Sequence, residues 1–335
     1  MKIAVIGAGA IGGYLGARLA LSGQEVTFIA RGANLQAICD GGLRLIEEDG
    51  SERVASDVRA VQNMAEAGQQ DYVLLALKAH QVSAVAAEMR ALFGPQTAVV
   101  TMQNGVPWWY FHKLSGPYEG RTVSKVDPDG SIAANIENER IIGSVVYPAS
   151  ELIAPGVVKV IEGNRFSLGE PDNSKSERAL KLSEAMSAAG FKAPVSSDLR
   201  SEIWLKLWGN LTFNPVSALT HATLVRICQD PLTRELAANM MREAQTVAEK
   251  IGVRFRISID KRIAGAEAVG EHKTSMLQDV ERGRALELDA LLGSVVELAR
   301  ITETPTPSID AIYACASLLA STLAEQRGRL EVQSA

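Results

Sequence analysis

The stretch KIAVIGAGAIGGYLGARLA, residues 2–20, constrains the fold more than any other part of the chain. Ile3, Val5 and Ile6 form a short, β-branched apolar run that reads as a buried strand. Glycines follow at Gly7, Gly9 and Gly12, and then Ile11, Leu15 and Leu19 recur at helical spacing. Strand, glycine turn and helix in this order give G-x-G-x-x-G its meaning as a dinucleotide-binding turn. Gly7 permits the tight turn, Gly9 lets a pyrophosphate approach the backbone, and Gly12 lets the helix lie close on the strand. The free N–H groups at the start of the helix then face an anion.

The next strand, in QEVTFIARG, bears on the choice of dinucleotide. An NAD site usually has a carboxylate at the end of this strand, for the ribose 2′-hydroxyl. Here the residue is Arg31. A guanidinium suits a 2′-phosphate, which favours NADP(H); the alternative is a solvated surface arginine.

A length of 335 residues suggests two domains, and a hydrophobic content of 47% supplies their cores. The net charge of −5, with no long basic run, argues against nucleic acid. Cys39, Cys228 and Cys315 lie far apart with no metal-ligand spacing and are expected to be small buried apolar residues; no metal is required. No uninterrupted apolar stretch looks long enough for a bilayer, and the first strand leaves no room for a signal peptide. A cytoplasmic protein with no membrane partner is expected.

The first half alternates strands and helices. YVLLALKA (72–79) reads as a strand covered on both faces, another lies around Ala98–Met102, and LRLIEEDGSERVA reads as a hairpin about Asp49-Gly50. Strands and turns are expected from Ser131 to Gly169, then a helix stopped by Gly190. From about Leu199 onward nearly everything reads as helix, including SMLQDVERGRALELDALLGSVVELARI as one segment. The fold class is therefore α/β: a Rossmann-type dinucleotide-binding domain over residues 1–195, then an all-helical domain over 196–335. The apolar segment AIYACASLLASTLA is either core or the face of a homodimer.

Two helical stretches carry polar groups that packing does not explain. In EIWLKLWGNLTFNP, Lys206, Asn210 and Asn214 recur every four residues. They fall within about 80° of one another, on one helix face. Trp204 and Trp208 are expected to lower the polarity around Lys206 and ease proton donation; the alternative is a snorkelling lysine with two asparagines bound to a loop. In HKTSMLQDVERGRALELD, Ser275 and Asp279 lie one turn apart, and a break at Gly283 would return Glu287 toward the same pocket. A merely solvated Glu287 is the competing reading. In the first domain, Lys78 and Asn104 follow the ends of buried strands, at the edge where a cofactor binds. Lys78 could meet a phosphate, the ribose or the substrate. Asn104 could lie near a nicotinamide, or Asn104-Gly105 could be an ordinary turn. Of the four histidines, His80 is placed nearest the site.

Taken in order, IGAGAIGG, Arg31, LKAHQV, QNGV, EIWLKLWGNLTFNP and SMLQDVERGRALELD resemble the ketopantoate reductase family over nearly the whole chain. The resemblance implies NADPH-dependent reduction of 2-dehydropantoate to (R)-pantoate in pantothenate synthesis. It also implies a helical domain similar to that of 6-phosphogluconate dehydrogenase. It assigns Gly7, Ala8, Gly9, Ala10, Ile11, Gly12, Arg31 and the Ala149 backbone to NADP. Lys78 and Asn104 flank the nicotinamide ribose and the substrate. Lys206 is the proton donor; Asn210, Asn214 and Ser275 bind substrate, and Asp279 supports that pocket. Glu287 contacts the cofactor and holds the lysine. Leu224 stands where the family often has an asparagine, and Trp108 and Trp109 are bulkier than expected. These departures leave room for a related, bulkier 2-oxo acid. A non-catalytic NADP sensor is the alternative from outside enzymology, and it needs no Lys206–Glu287 pair.

Overall fold

The computed structural model describes residues 1–326 and Gly328. Contacts divide the chain into two compact units. The first holds Met1–Gln103, Pro107–Thr122 and Asp127–Leu199; the second holds Asn104–Val106, Val123–Val126 and the chain from Arg200 onward. The expected second domain, 196–335, runs beyond the last described residue.

The first unit is built on eleven strands: β1 (Lys2–Ile6), β2 (Glu25–Ile29), β3 (Leu43–Ile46), β4 (Glu52–Ala55), β5 (Arg59–Val61), β6 (Gln70–Leu75), β7 (Phe93–Thr101), β8 (Ile141–Val146), β9 (Ala149–Ala154), β10 (Val157–Glu162) and β11 (Phe166–Gly169). Seven make one sheet in the order β11-β8-β7-β6-β1-β2-β5, parallel except where β11 runs against β8. The chain reverses its direction of travel across the sheet between β1 and β6, and a doubly wound sheet opens its ligand crevice at such a point. The other four make a small sheet, β4-β3-β10-β9, which contains the expected β3–β4 hairpin.

The helix Ala10–Leu21 lies between the two sheets, and its glycines show why. A Cβ at Gly12 would collide with the Gly7 carbonyl and one at Gly16 with the Phe28 ring, on the large-sheet side. A Cβ at Gly13 would press on Val158 and Leu43 of the small sheet. Each glycine costs about 0.5–1 kcal/mol of helix stability relative to alanine. That cost is offset by burial of Tyr14, Leu15, Ala17 and Leu19 between two apolar layers.

The expected strand 72–79 ends at Leu75, because the chain must turn at the sheet edge before Lys78. The segment from Ser131 opens with a short helix, Ser131–Asn135, because both Asp127 carboxylate oxygens accept from its first N–H groups (Ile132 and Ala133, 2.9 Å each). Trp109 is core: its indole donates to Thr101 (3.0 Å), and its ring fills the space that Gly143 leaves open.

In the second unit the helix Leu199–Thr220 runs through Pro215 without interruption and packs among helices that include Pro231–Lys250 and Ile259–Glu267. The expected single helix from residue 275 is instead three pieces. Ser275–Glu281 stops at Gly283 (φ +61°), where the Arg284 N–H returns to the Asp279 carbonyl (2.8 Å). A non-helical link follows, then a π turn, Asp289–Gly293, that runs into the helix Ser294–Ile301.

Two further expectations are corrected. Cys39 and Cys315 are exposed, and only Cys228 is buried; apolar character alone does not place a side chain on the inner face. The helix Pro307–Glu325 is long and apolar enough, by length and composition, to cross a membrane. Its first turn is nonetheless held inside the unit, where the Glu243 carboxylate accepts from the Ser308 and Ile309 N–H groups (2.9 Å each).

Candidate active site

In the first unit the glycine turn sits at the carboxyl ends of β1, β2 and β6. The Gly7 N–H donates to the Ile29 carbonyl (3.1 Å) and the Ala76 N–H to the Ile6 carbonyl (3.0 Å). Gly7 has φ +97°, a conformation that a side chain resists. The helix that follows has no side-chain cap at Gly9 and no carboxylate in its first turn, so nothing competes for an anion there. A Cβ at Gly9 would meet open space. These features fit a dinucleotide pyrophosphate held by the N–H groups of residues 9–12. Arg31 is exposed at the end of β2, as the N-cap of the helix Gly32–Gly41. Lys78 is half-buried after β6, at the start of the turn Ala79–Gln81, and Ala149 opens β9.

Asn34, which sequence reasoning missed, braces the glycine turn. Its side-chain amide donates to the Ala8 carbonyl (2.6 Å), and its Oδ1 accepts from the Gly156 N–H (2.7 Å). It thus ties the middle of the glycine turn to the β9–β10 turn. The available signal was an asparagine, a poor helix former, just inside a helix.

In the second unit, Lys206 of the long helix donates to Asn104 Oδ1 (2.6 Å). Burial pushes the Lys206 ammonium down to about 8, and the nearby Glu287 carboxylate offsets part of that shift. The structure therefore brings together Lys206, Asn104 and Glu287, which lie far apart in sequence. Glu287 arrives from the link after Gly283, as the expected break requires.

Trp208 takes a different place from the one expected. Residues two apart on a helix point about 200° apart. Trp208 accordingly faces away from Lys206: its indole donates to the Met241 carbonyl (2.7 Å), and its ring lies 4.2 Å from that of Phe255. Its bulk forms the core behind the helix rather than the wall around the ammonium.

Asn214 is buried, and its amide reaches Ser275 Oγ (3.4 Å). Asp279 is buried one turn beyond Ser275 on the same short helix, while Ser275 itself is exposed. Asn210 is half-buried, one turn after Lys206. The helical unit thus carries an ammonium of lowered proton affinity, with amides and a hydroxyl on neighbouring turns of its two polar helices. Such a set can protonate a developing alkoxide and hold a small polar molecule by hydrogen bonds.

Residues 3–173 match the family model of ketopantoate reductase PanE/ApbA, and residues 198–320 match that of its C-terminal part. A curated 2-dehydropantoate 2-reductase of Mesorhizobium japonicum is 56% identical over 329 residues, 98% of this chain and 99% of that protein. A crystal structure from Ralstonia solanacearum MolK2 superposes with a TM-score of 0.91 at 42% identity, covering 96% of this chain and 98% of the other. A PanE/ApbA family ketopantoate reductase from Ralstonia eutropha JMP134 gives 0.83 at 27% identity, over 97% and 100%. On both family models and on identity across its length, the chain belongs to the ketopantoate reductase PanE/ApbA family.

Proposed function

We propose that the chain is a cytoplasmic, NADPH-dependent 2-dehydropantoate 2-reductase that forms (R)-pantoate, with Lys206 as its proton donor. The observation that carries this reading is the Lys206–Asn104–Glu287 cluster: an ammonium poised at about 8, held by an amide oxygen and faced by a carboxylate. The activity named for the Mesorhizobium relative supports the substrate.

When bound, the dinucleotide supplies the hydride. The residues of the chain do the rest. The N–H groups after Gly7 hold the pyrophosphate, and the Arg31 guanidinium holds the 2′-phosphate. Asn210, Asn214 and Ser275 orient the 2-oxo acid by hydrogen bonds to its hydroxyl and carboxylate. As the carbonyl carbon gains hydride, negative charge grows on its oxygen. The Lys206 ammonium stabilises that charge and then transfers a proton to it. Glu287 keeps the ammonium charged until then.

The test is absorbance-followed NADPH oxidation by the pure protein with ketopantoate, set beside bulkier 2-oxo acids and beside NADH. Ketopantoate with NADPH should give the highest kcat/KM. Arg31→Ala should weaken NADPH binding ~10–100-fold, the worth of one charged hydrogen bond, and leave NADH unchanged. Equal binding of the two cofactors by the wild-type protein removes the Arg31 assignment. A higher kcat/KM with a bulkier 2-oxo acid moves the substrate, and no turnover with any of them leaves a dinucleotide-binding protein.

A further inference from the structure

The π turn Asp289–Gly293 buries Ala290, Leu291, Leu292 and Gly293. A π turn inserts an extra residue into a helix at a cost in regularity, and such turns collect at functional sites. Here the Ala290 carbonyl accepts from the Val106 N–H (3.0 Å) and from the Ser294 hydroxyl (2.8 Å). Gly105 passes directly over that carbonyl with φ +93°, and a Cβ on it would collide with the Ala290 oxygen. Asn104, the next residue back, accepts the Lys206 hydrogen bond. Glu287 lies two residues before the turn. Two groups that act on the ammonium, Asn104 and Glu287, thus lie next to this one place in the chain.

We propose that the π turn Asp289–Gly293 is a positioning device for Lys206, holding Asn104 on the ammonium through the Val106–Ala290 backbone bond and the close passage at Gly105. The inference rests on the reading of Lys206 as the proton donor. Ala290 and Gly105 touch no reacting atom; they act through Asn104. An amide oxygen that accepts from an ammonium favours its charged form, so loss of that contact lowers the pH at which Lys206 releases its proton. Glu287 is a charged group acting on Lys206, and its side chain is unchanged in the variants below.

The experiment follows the titration of Lys206 by NMR in protein carrying 13Cε-labelled lysine, with Lys206→Arg to assign the signal. The wild type should titrate near 8. Asn104→Ala and Gly105→Ala should each titrate lower, by about half a pH unit or more. The double variant should titrate no lower than Asn104→Ala alone, because the two changes remove one contact. A Gly105→Ala signal at the wild-type value, or a further drop in the double variant, overturns the proposal. Should Gly105→Ala fail to fold, amide exchange in the wild type decides. The Val106 N–H should be as protected as those of the helix Ser294–Ile301, and exchange at the rate of an open loop overturns the proposal. Turnover that survives Lys206→Ala while these shifts hold defeats the proton-donor reading and leaves the positioning intact.

Discussion

Two lysines of the helical unit have nearly the same partners and opposite properties. Lys125 donates to the Tyr313 hydroxyl (3.2 Å) and lies 3.8 Å from Asp289. Lys206 donates to Asn104 and is faced by Glu287. Each has a neutral acceptor and a carboxylate among its partners. Yet the Lys125 ammonium is held above its ordinary range, chiefly by the Tyr313 hydrogen bond, while Lys206 is pushed down to about 8, chiefly by burial. The Lys125 side chain is 40% exposed, so water still solvates its charge. The surroundings, more than the partners, decide which lysine can give up a proton near neutral pH. Both contacts meet on the same π turn, whose Asp289 faces Lys125 and whose Ala290 accepts from Val106, two residues after Asn104.

The most severe way to break this comparison is to delete each ammonium in turn. Lys206→Ala should lower single-turnover NADPH oxidation with saturating ketopantoate by ~10²–10⁴, the usual worth of a general acid. Lys206→Arg should not restore it, because a guanidinium does not release its proton readily. Lys125→Ala should stay within about threefold of wild type, far short of the loss of an acid. A comparable loss in both variants would mean that burial does not distinguish the two sites.

The pH profile sharpens the same contrast. With Lys206 as the proposed proton donor, reduction would need its ammonium, so the rate should be full below its pKa and lost as pH rises through it. The alkaline limb of kcat should therefore fall near pH 8, about tenfold per unit beyond it. Lys125→Ala should leave that limb where it is. A limb that moves with Lys125 would assign the titration to the wrong lysine.

How much of this was legible in the sequence depends on how local each feature is. The glycine turn was legible because strand, turn and helix are contiguous and each glycine meets a steric demand within that unit. Lys206, Asn210 and Asn214 were legible as one face because four-residue spacing maps directly onto a helix. The role given to Trp208 failed for the same geometric reason, since two-residue spacing points the other way. Glu287 was half-legible: Gly283 announced a break, but only the fold shows where the chain goes next. Asn34, the π turn and the Lys125–Tyr313–Asp289 contact were invisible. The contacts that give each its place join residues far apart in the chain, and the one local hint, an asparagine just inside a helix at Asn34, names no partner.

A smaller effect is expected where the site meets solvent. Ser275 is exposed and lies 3.4 Å from the buried Asn214 amide. Ser275→Ala should weaken ketopantoate binding by ~1–2 kcal/mol and leave NADPH titration unchanged. A Michaelis constant unchanged across several 2-oxo acids would take Ser275 out of the site, and the contrast would then rest on Lys206 alone.

The finest test compares the two lysines by stability, with no substrate present. Lys206 in the folded protein has a pKa of about 8, below the ordinary lysine value of 10.5. Between those two values the unfolded chain binds more protons than the folded one, so stability rises with pH across that window. For Lys125 the folded pKa is raised, so the sign reverses: its contribution is present below the unfolded value and lost as pH climbs through the folded one. Calorimetric melting of wild type, Lys206→Met and Lys125→Met from pH 7.5 to 10 (a range covering most of the Lys206 window) reads the difference. Relative to Lys206→Met, the wild type should gain stability steadily as pH rises, whereas relative to Lys125→Met it should hold level. Parallel curves for all three proteins would show that Lys206 is solvated as freely as Lys125, and the lowered proton affinity that suits it to donate would have no source in the fold.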